Sequence, residues 1–219
     1  MSPSRIPVVE RIMGANKQLA TQNRQTLDAH GVHCVNFMAS PGAGKTSLIL
    51  RTAESLDGRR VLGVIEGDVA STVDAEKVRD AGLPVVQINT GGGCHLDAAM
   101  VHRALSELPL DAFDLLFVEN VGNLICPVAF DLGEHTRVAI SSVPEGDDKP
   151  HKYPAIFTSV DALVLNKIDL LPYIPFDVTE FCRLVRGLNP RIRIFEVSCV
   201  TSEGLDEWVE WLIERTAKA

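Results

Sequence analysis

A run of small residues near position 40 ends in a lysine followed by two hydroxyl residues. The stretch ASPGAGKTS, residues 39–47, follows the pattern G-x-x-x-x-G-K-S/T except that Ala39 occupies the first glycine position. In such a loop, backbone N–H groups surround phosphate oxygens, the lysine reaches the terminal phosphates and the hydroxyl binds magnesium. The alternative is a glycine-rich turn that contains Lys-Thr by chance. We predict phosphate binding by Gly42, Ala43, Gly44, Lys45, Thr46 and Ser47, with Lys45 catalytic and Thr46 a magnesium ligand.

Two acidic residues stand where later apolar runs end. Asp68 closes EGD, residues 66–68, and Glu119 lies in FVENVG, residues 117–122. A carboxylate at the end of a buried strand that faces a phosphate loop can hold magnesium or orient a water molecule. Acids at strand ends are also commonly just solvated. We predict Asp68 and Glu119 as catalytic residues and magnesium ligands, with Asp68 as the general base.

The stretch VLNKID, residues 164–169, ends another apolar run with the pattern N-K-x-D. Asp169 can accept hydrogen bonds from N1–H and the 2-amino group of guanine, whereas adenine would leave that carboxylate unpaired. Asn166 can brace the surrounding loops, and the stem of Lys167 can cover the base. The pattern therefore predicts guanine nucleotide binding. The loop after the last apolar run supplies two further candidate base contacts, Ser198 and Cys199.

Phosphate chemistry does not require soft ligands, yet a cysteine and a histidine follow three glycines in TGGGCHLDA, residues 90–98. Cys94 and His95 offer a thiolate and an imidazole, and Cys126 in a later loop offers a second thiolate. These groups bind zinc, nickel or copper in preference to magnesium. If the third and fourth strands are neighbours, both loops open at one edge of the nucleotide site. We predict a metal site at Cys94, His95 and Cys126, and a second copy of the chain could complete its ligands.

The composition bounds the kind of protein to which these residues belong. The 219 residues are 46% hydrophobic and 23% charged, which is typical of a globular domain, and the net charge of −8 disfavours non-specific binding to nucleic acid. No apolar run approaches the ~20 residues of a membrane span, and the N-terminus has no signal-peptide pattern. Five widely spaced cysteines argue against a disulfide framework, so we expect a cytoplasmic protein without a membrane or nucleic-acid partner. Cys34 and Cys182 are predicted to be core residues.

These motifs must be positioned by alternating strands and helices. Residues 1–30 predict a polar amphipathic helix that stops at Gly31, packed on a GTPase domain over residues 31–219. Near-continuous apolar strands separated by helices predict an α/β fold, a P-loop NTPase with a mostly parallel seven-stranded sheet and helices on both faces. Ligands then sit beyond the carboxyl ends of the strands. The predicted strands are VHCVNFM, RVLGVI, LPVVQI, DLLFVE, RVAISSV, ALVLN and IRIFEV.

Several segments, taken in order, resemble the HypB family of GTPases, which incorporate nickel during the maturation of nickel–iron hydrogenase. The segments are ASPGAGKTS, EGDVASTVDAEKVRDAG, NTGGGCHLDA, ENVGNLICP, EGDDKPHKYP and LNKIDLLPY, and they extend over residues 5–215. GGGCH and ENVGNLICP are the specific ones. The related urease nickel-insertion GTPases carry a Cys-Pro-His arrangement, whereas Cys94 and His95 are adjacent in this sequence.

The resemblance implies a GTPase that dimerises with GTP and magnesium and holds nickel or zinc between protomers at Cys94, His95 and Cys126. It implies a nickel metallochaperone partner and the hydrogenase large subunit as acceptor. Many members also have an N-terminal Cys-rich or His-rich tract for nickel, and MSPSRIPVVER contains neither residue. We therefore expect only the site in the GTPase domain.

Other interpretations stay open on the sequence alone. The chain could be a urease-type nickel-insertion GTPase, or a general GTPase in which the cysteines and the histidine are incidental. It could also be a metal carrier whose GTP hydrolysis is slow or vestigial. Since Glu119 and Cys126 are seven residues apart, the hypothesis that nucleotide state moves a metal ligand is the one we carry forward.

Overall fold

The computed structural model describes the backbone of residues 8–216 and the side chains of residues 12–216. Seven strands form one sheet in the order β3-β2-β4-β1-β5-β6-β7, and every neighbouring pair is parallel. The strands are β1 (His33–Ala39), β2 (Leu62–Asp68), β3 (Val85–Asn89), β4 (Leu115–Glu119), β5 (Thr136–Ser142), β6 (Ala162–Asn166) and β7 (Arg193–Val197). Each of the seven predicted apolar runs overlaps one of these strands.

Helices connect the strands and cover both faces of the sheet. The helices are α1 (Val8–Ala29), α2 (Lys45–Leu56), α3 (Val73–Asp80), α4 (Ala98–Ser106), α5 (Lys149–Lys152), α6 (Pro154–Ser159), α7 (Val178–Leu188) and α8 (Leu205–Thr216). Because side chains alternate along a strand, Val35 and Phe37 of β1 face α2 and α8, whereas Cys34 and Met38 face the opposite layer. The predicted α/β class is confirmed, and Cys34 and Cys182 are buried as expected.

Helix α1 packs against α4 and is held to the domain by a buried asparagine. The Asn23 amide donates hydrogen bonds to the carbonyl oxygens of Ala98 and Leu132, both at 2.9 Å. The helix ends at Ala29, two residues before Gly31, which has a φ of 66°. Residues 1–7 of the predicted N-terminal segment lie outside the described residues. Among the helices of the described part of the chain, none has both the length and the apolar character needed to cross a bilayer.

The sheet order corrects one expectation about the two cysteine loops. Strands β3 and β4 are not neighbours, because β2 lies between them. The loop after β3 nevertheless reaches the β4 side by crossing over the end of β2. Gly67 permits this crossing: a β-carbon there would lie 2.7 Å from the side chain of Leu96, which is fully buried. Close packing of this loop over Gly67 thus brings the two cysteine loops together, which the adjacency of β3 and β4 was expected to do.

Candidate nucleotide and metal site

The predicted phosphate loop joins β1 to the N-terminus of α2, the position at which helix N–H groups face an anion. Gly44 has a φ of 99°, and a β-carbon there would lie 2.4 Å from the Asn166 amide nitrogen, so only glycine fits. A cavity of about 350 Å³ opens beside the loop. It is lined by Gly42, Gly44, Lys45, Thr46, Ser47, Leu50, Asp74, Lys77, Glu119 and Lys167. Most of the predicted phosphate-loop residues therefore line one cavity, while Ala43 is buried beneath it.

Glu119 lies at the floor of this cavity and contacts the phosphate loop. Its Oε1 accepts a hydrogen bond from the Thr46 hydroxyl at 3.0 Å and lies 4.0 Å from Lys45 Nζ. Its Oε2 is buried with no hydrogen-bond partner among the described residues. Burial raises the pKa of Glu119 to about 7, although the Lys45 ammonium favours the charged form. The carboxylate therefore lies where an additional cation would be stabilising.

A second buried carboxylate, which the sequence analysis did not single out, lies beside Glu119. Glu66 on β2 is the register partner of Glu119 on β4, and it is 2% exposed. Its Oε2 also has no partner within the described chain. Burial and the neighbouring Glu119 carboxylate raise the pKa of Glu66 to about 8. An acid inside an otherwise apolar strand was the available signal, and two orphaned carboxylate oxygens fit the hard oxygen ligands that magnesium takes.

Asp68 does not line the cavity, unlike the other predicted magnesium ligands Thr46 and Glu119. Its Oδ1 accepts hydrogen bonds from the backbone N–H groups of Ala70 and Ser71, at 2.9 and 2.6 Å. The side chain thus caps the turn that leads into α3. In this conformation Asp68 is a turn residue, and its predicted roles as magnesium ligand and general base stay predictions.

The predicted guanine-binding residues interlock with the phosphate loop. The Asn166 amide donates to the carbonyl oxygen of Ala43 at 3.0 Å, and Lys167 Nζ donates to that of Gly42 at 2.7 Å. The Ser198 hydroxyl donates to Asp169 Oδ1 at 2.6 Å, which leaves the rest of that carboxylate for a base. The end of β6 thereby contacts the phosphate loop, and the residue after β7 contacts Asp169. Burial raises the pKa of the neighbouring Cys199 thiol to about 11, so this cysteine is a neutral group here.

The structure brings Cys94, His95 and Cys126 together in one cluster. One ligand atom from each residue lies within 4.8 Å of the other two, and among the side chains of residues 12–216 no other His, Cys, Asp and Glu group of three or more has this arrangement. Cys94 is exposed, and Cys126 begins a 3-10 turn, Cys126–Ala129. Thiolates and an imidazole at this spacing can hold a soft or borderline divalent metal.

His95 is oriented by an aromatic neighbour that the sequence pattern did not reveal. Its ring stacks on Phe130 with a centroid separation of 3.9 Å, and its Nδ1 lies 3.5 Å from Cys94 Sγ. Partial burial lowers the pKa of His95, which favours the neutral imidazole that metals bind. A hydrogen bond with Cys126 raises the pKa of the exposed Cys94 thiol. The ring of Phe130 and the Cys94 thiol thus orient the imidazole.

Known proteins share both the sequence and this architecture. Residues 34–196 match the nucleotide-binding domain of the CobW/HypB/UreG family. The hydrogenase maturation factor HypB of Azotobacter vinelandii is 50% identical over 213 residues, which cover 97% of this chain and 70% of that protein. The chain belongs to the HypB family. The urease-type alternative is thereby set aside.

Solved HypB structures have the same fold. HypB from Archaeoglobus fulgidus superposes with a TM-score of 0.87 at 43% identity, covering 93% of this chain and 99% of that one. HypB from Helicobacter pylori, solved in complex with nickel, gives a TM-score of 0.90 at 34% identity, covering 93% and 96%. This member of the HypB family therefore has the fold of a P-loop nucleotide-binding domain.

Proposed function

We propose that this HypB protein hydrolyses GTP to GDP and phosphate and uses the nucleotide state to bind and release nickel for hydrogenase maturation. The observation that supports this most directly is that one short segment carries both a contact with the phosphate loop and a metal ligand. Glu119 accepts the hydrogen bond from Thr46 in the phosphate loop, and seven residues later Cys126 supplies a ligand to the metal cluster. A nucleotide that repositions Glu119 therefore acts on a metal ligand through one short segment.

Hydrolysis requires a water molecule in line with the bond between the β- and γ-phosphates. The water oxygen bonds to the γ-phosphorus, the bridging bond breaks towards GDP, and the water protons pass to solvent or phosphate. Lys45 neutralises charge on the terminal phosphates. Thr46 and Glu119 would hold magnesium, which when bound stabilises the charge that develops on the phosphate oxygens. Asp68 serves as base only in a conformation that opens the turn it now caps.

Asp169 provides the preference for guanine. Its carboxylate is held by Ser198 in front of the phosphate loop, and Asn166 and Lys167 brace that loop from the same side. Guanine satisfies the remaining carboxylate lone pairs with N1–H and the 2-amino group, whereas adenine leaves a buried charge unpaired. GTP is therefore the nucleotide of this site.

Nickel is the cargo that we assign to the cluster at Cys94, His95 and Cys126. The donor set suits nickel and zinc alike, so donor chemistry alone does not choose between them. The Helicobacter pylori relative, solved in complex with nickel, has 34% identity to this chain, which favours nickel. Zinc occupies the same ligands when it is the more available ion.

A homodimer that forms with GTP or metal completes the site. Three ligands from one protomer leave a coordination position open, and the exposed Cys94 side chain and the 66%-exposed Ile125 lie beside it. A second copy facing the first supplies further ligands. A nickel metallochaperone loads the site and the hydrogenase large subunit accepts the ion. Free thiols at such a site require a reducing compartment, so we assign the protein to the cytoplasm.

Titration of the full chain with nickel in the presence of GDP, and then of a non-hydrolysable GTP analogue with magnesium, tests the proposal. We expect thiolate-to-nickel charge-transfer absorption in both states and a nickel affinity that differs between them by at least ~5-fold, the lower range of allosteric couplings. Metal-independent GTP hydrolysis with no charge-transfer band would instead identify a general GTPase. Nickel binding without GTP turnover would identify a carrier.

A further inference from the structure

Asn123 lies between the two loops that carry the cysteine ligands and contacts the backbone of both. Its Nδ2 donates a hydrogen bond to the carbonyl oxygen of Cys94 at 3.3 Å. Its Oδ1 accepts hydrogen bonds from the N–H groups of Ile125, at 2.8 Å, and Cys126, at 3.4 Å. One amide side chain therefore joins the two thiol-bearing residues, which are 32 positions apart in the sequence.

A second asparagine in the same segment, Asn120, holds the backbone on the other side of the Cys94–His95 pair. Asn120, fully buried, accepts a hydrogen bond at Oδ1 from the N–H of Leu96 at 3.0 Å. Leu96 follows His95, and Cys94 precedes it, so Asn120 and Asn123 hold the Cys94–His95 pair from both sides. Asn120 in turn donates to Asn36 in the centre of the sheet, at 3.2 Å. The hydrogen bond that Asn120 makes is part of the core, whereas the one that Asn123 makes lies near the surface.

We propose that Asn123 is a positioning residue for the metal site, a role that rests on the proposed nickel-binding function. Cys94 follows Gly91, Gly92 and Gly93, of which the first two have positive φ values of 59° and 105°. Glycine supplies no side chain to hold a loop and loses the most conformational entropy when it is ordered. The hydrogen bond from Asn123 restrains the Cys94 backbone relative to Cys126 before the metal binds. Less conformational entropy is therefore lost when the metal binds.

A local turn accounts for two of the three hydrogen bonds that Asn123 makes, and leaves the third unexplained. Its Oδ1 bonds to Ile125 and Cys126 form an Asx-type turn that any short acceptor side chain could supply. The Nδ2 bond to Cys94 crosses to a different loop, and no turn requires it. A serine at position 123 keeps a weaker version of the turn but is too short to reach the Cys94 carbonyl. Asn123→Ser therefore separates the two roles without introducing a charge.

The test compares the wild-type chain with Asn123→Ser and Asn123→Ala in two measurements. The first is the nickel dissociation constant by competition with a chelator, together with the intensity of the charge-transfer band. We expect both variants to bind nickel ~10- to 100-fold more weakly, as is usual when a group that supports a metal ligand is removed. GTP affinity should stay within ~2-fold of wild type, because Asn123 does not line the nucleotide cavity.

The second measurement is backbone amide hydrogen exchange over residues 90–97 in metal-free protein. Faster exchange there in both variants supports the role of Asn123, whereas wild-type exchange rates in Asn123→Ser would overturn it. Nickel affinity that falls only in Asn123→Ala would likewise reduce Asn123 to a turn residue. If the wild-type chain binds no nickel, the proposed function fails, and the exchange rates still decide whether Asn123 restrains the loop.

Discussion

The side chain of Leu96 lies directly over Gly67, at a separation that leaves no room for a β-carbon on β2. This contact lets the loop after β3 cross the end of β2 and bring Cys94 and His95 to Cys126 beside β4. The cluster of Cys94, His95 and Cys126 therefore depends on the absence of a side chain at Gly67, in a strand that carries none of these three residues.

Gly67→Ala should displace this crossing loop. The new methyl group would lie 2.7 Å from Leu96, and such overpacking costs ~1–3 kcal/mol of folding free energy. We expect a lower thermal midpoint and weaker nickel binding with GTP affinity retained.

The double variant Gly67→Ala/Leu96→Ala is the matched control, because it removes the side chain that the methyl group meets. Nickel affinity should recover relative to Gly67→Ala, even though loss of the Leu96 side chain has its own cost in stability. If the double variant binds nickel no better than Gly67→Ala, the contact between residues 67 and 96 does not position the loop.

The places of the two predicted nucleotide motifs in the fold were readable from sequence because each motif is local. In both motifs a few consecutive residues set the backbone and side-chain pattern, as Gly44 and Asn166 do in the structure. The meeting of the metal ligands was not readable in the same way, because it depends on strand order and on the contact between Gly67 and Leu96. A strand-end acid such as Asp68 carries no local signal of whether it faces a ligand or caps a turn.

Glu66 was missed for a related reason. The sequence motif drew attention to the last acid of EGD, but the register between β2 and β4 pairs Glu66 with Glu119. Asp68, two residues further along β2, caps the turn that follows the strand instead. The register between β2 and β4 decides which acids become neighbours, and register is a property of the folded sheet.

Loss of either cysteine ligand should remove nickel binding. We expect Cys94→Ala and Cys126→Ala to weaken nickel binding by more than ~100-fold, beyond the effect typical of residues that only support a ligand, while GTP affinity is retained. Equilibrium dialysis with nickel measures this directly. Cys182→Ala is the control because that thiol is buried in α7, away from the cluster, and its substitution should leave nickel binding intact. Unchanged nickel affinity in the Cys94 or Cys126 variant would place the metal elsewhere.

Asp169→Asn should exchange the base preference. The amide retains an acceptor for N1–H but presents a donor to the guanine 2-amino group, so the GTP preference over ATP should fall by ~100-fold or more. Xanthine carries an oxygen at that position, so xanthosine triphosphate should bind the variant better than GTP does. Competition binding with the three nucleotides checks both statements, and GTP selectivity that survives in the variant would remove Asp169 from base recognition.

The contribution of His33 to folding stability should fall in mild acid. This residue is buried, its Nε2 pairs with the Thr136 hydroxyl at 2.9 Å, and its ring stacks on His135. Burial, reinforced by His135, lowers the pKa of His33 from 6.5 to about 4. The unfolded chain therefore binds this proton more readily between these values, so the contribution of His33 to the free energy of unfolding declines by on the order of 2 kcal/mol as pH falls from about 7 to about 5. Glu66 and Glu119, whose pKa values burial raises to about 8 and about 7, act in the opposite direction over the same range.

Urea unfolding at pH 7 and pH 5 of the wild type and His33→Gln checks this. Glutamine can still reach Thr136 but does not titrate, so we expect the wild type to lose stability relative to the variant as pH falls from 7 to 5. An unchanged difference in stability between the two proteins would show that His33 does not contribute to the pH dependence.

Glu119→Gln should uncouple nickel affinity from the nucleotide state. Glutamine keeps an acceptor for the Thr46 hydroxyl but removes the charge that faces Lys45. We expect single-turnover GTP hydrolysis to slow by roughly 100-fold, in the range for loss of one electrostatic contact at a reacting phosphate or carbonyl. Nickel affinity without nucleotide should match the wild type, because Cys94, His95 and Cys126 are untouched. The difference in nickel affinity between the GDP and GTP states should disappear.

Glu196→Gln, on an exposed position of β7, serves as the control and should change neither the hydrolysis rate nor the nucleotide dependence of nickel affinity. A nucleotide-dependent nickel affinity that persists in Glu119→Gln would mean that the coupling reaches Cys126 by another route, since the charge on Glu119 is what a bound nucleotide and its cation would act upon.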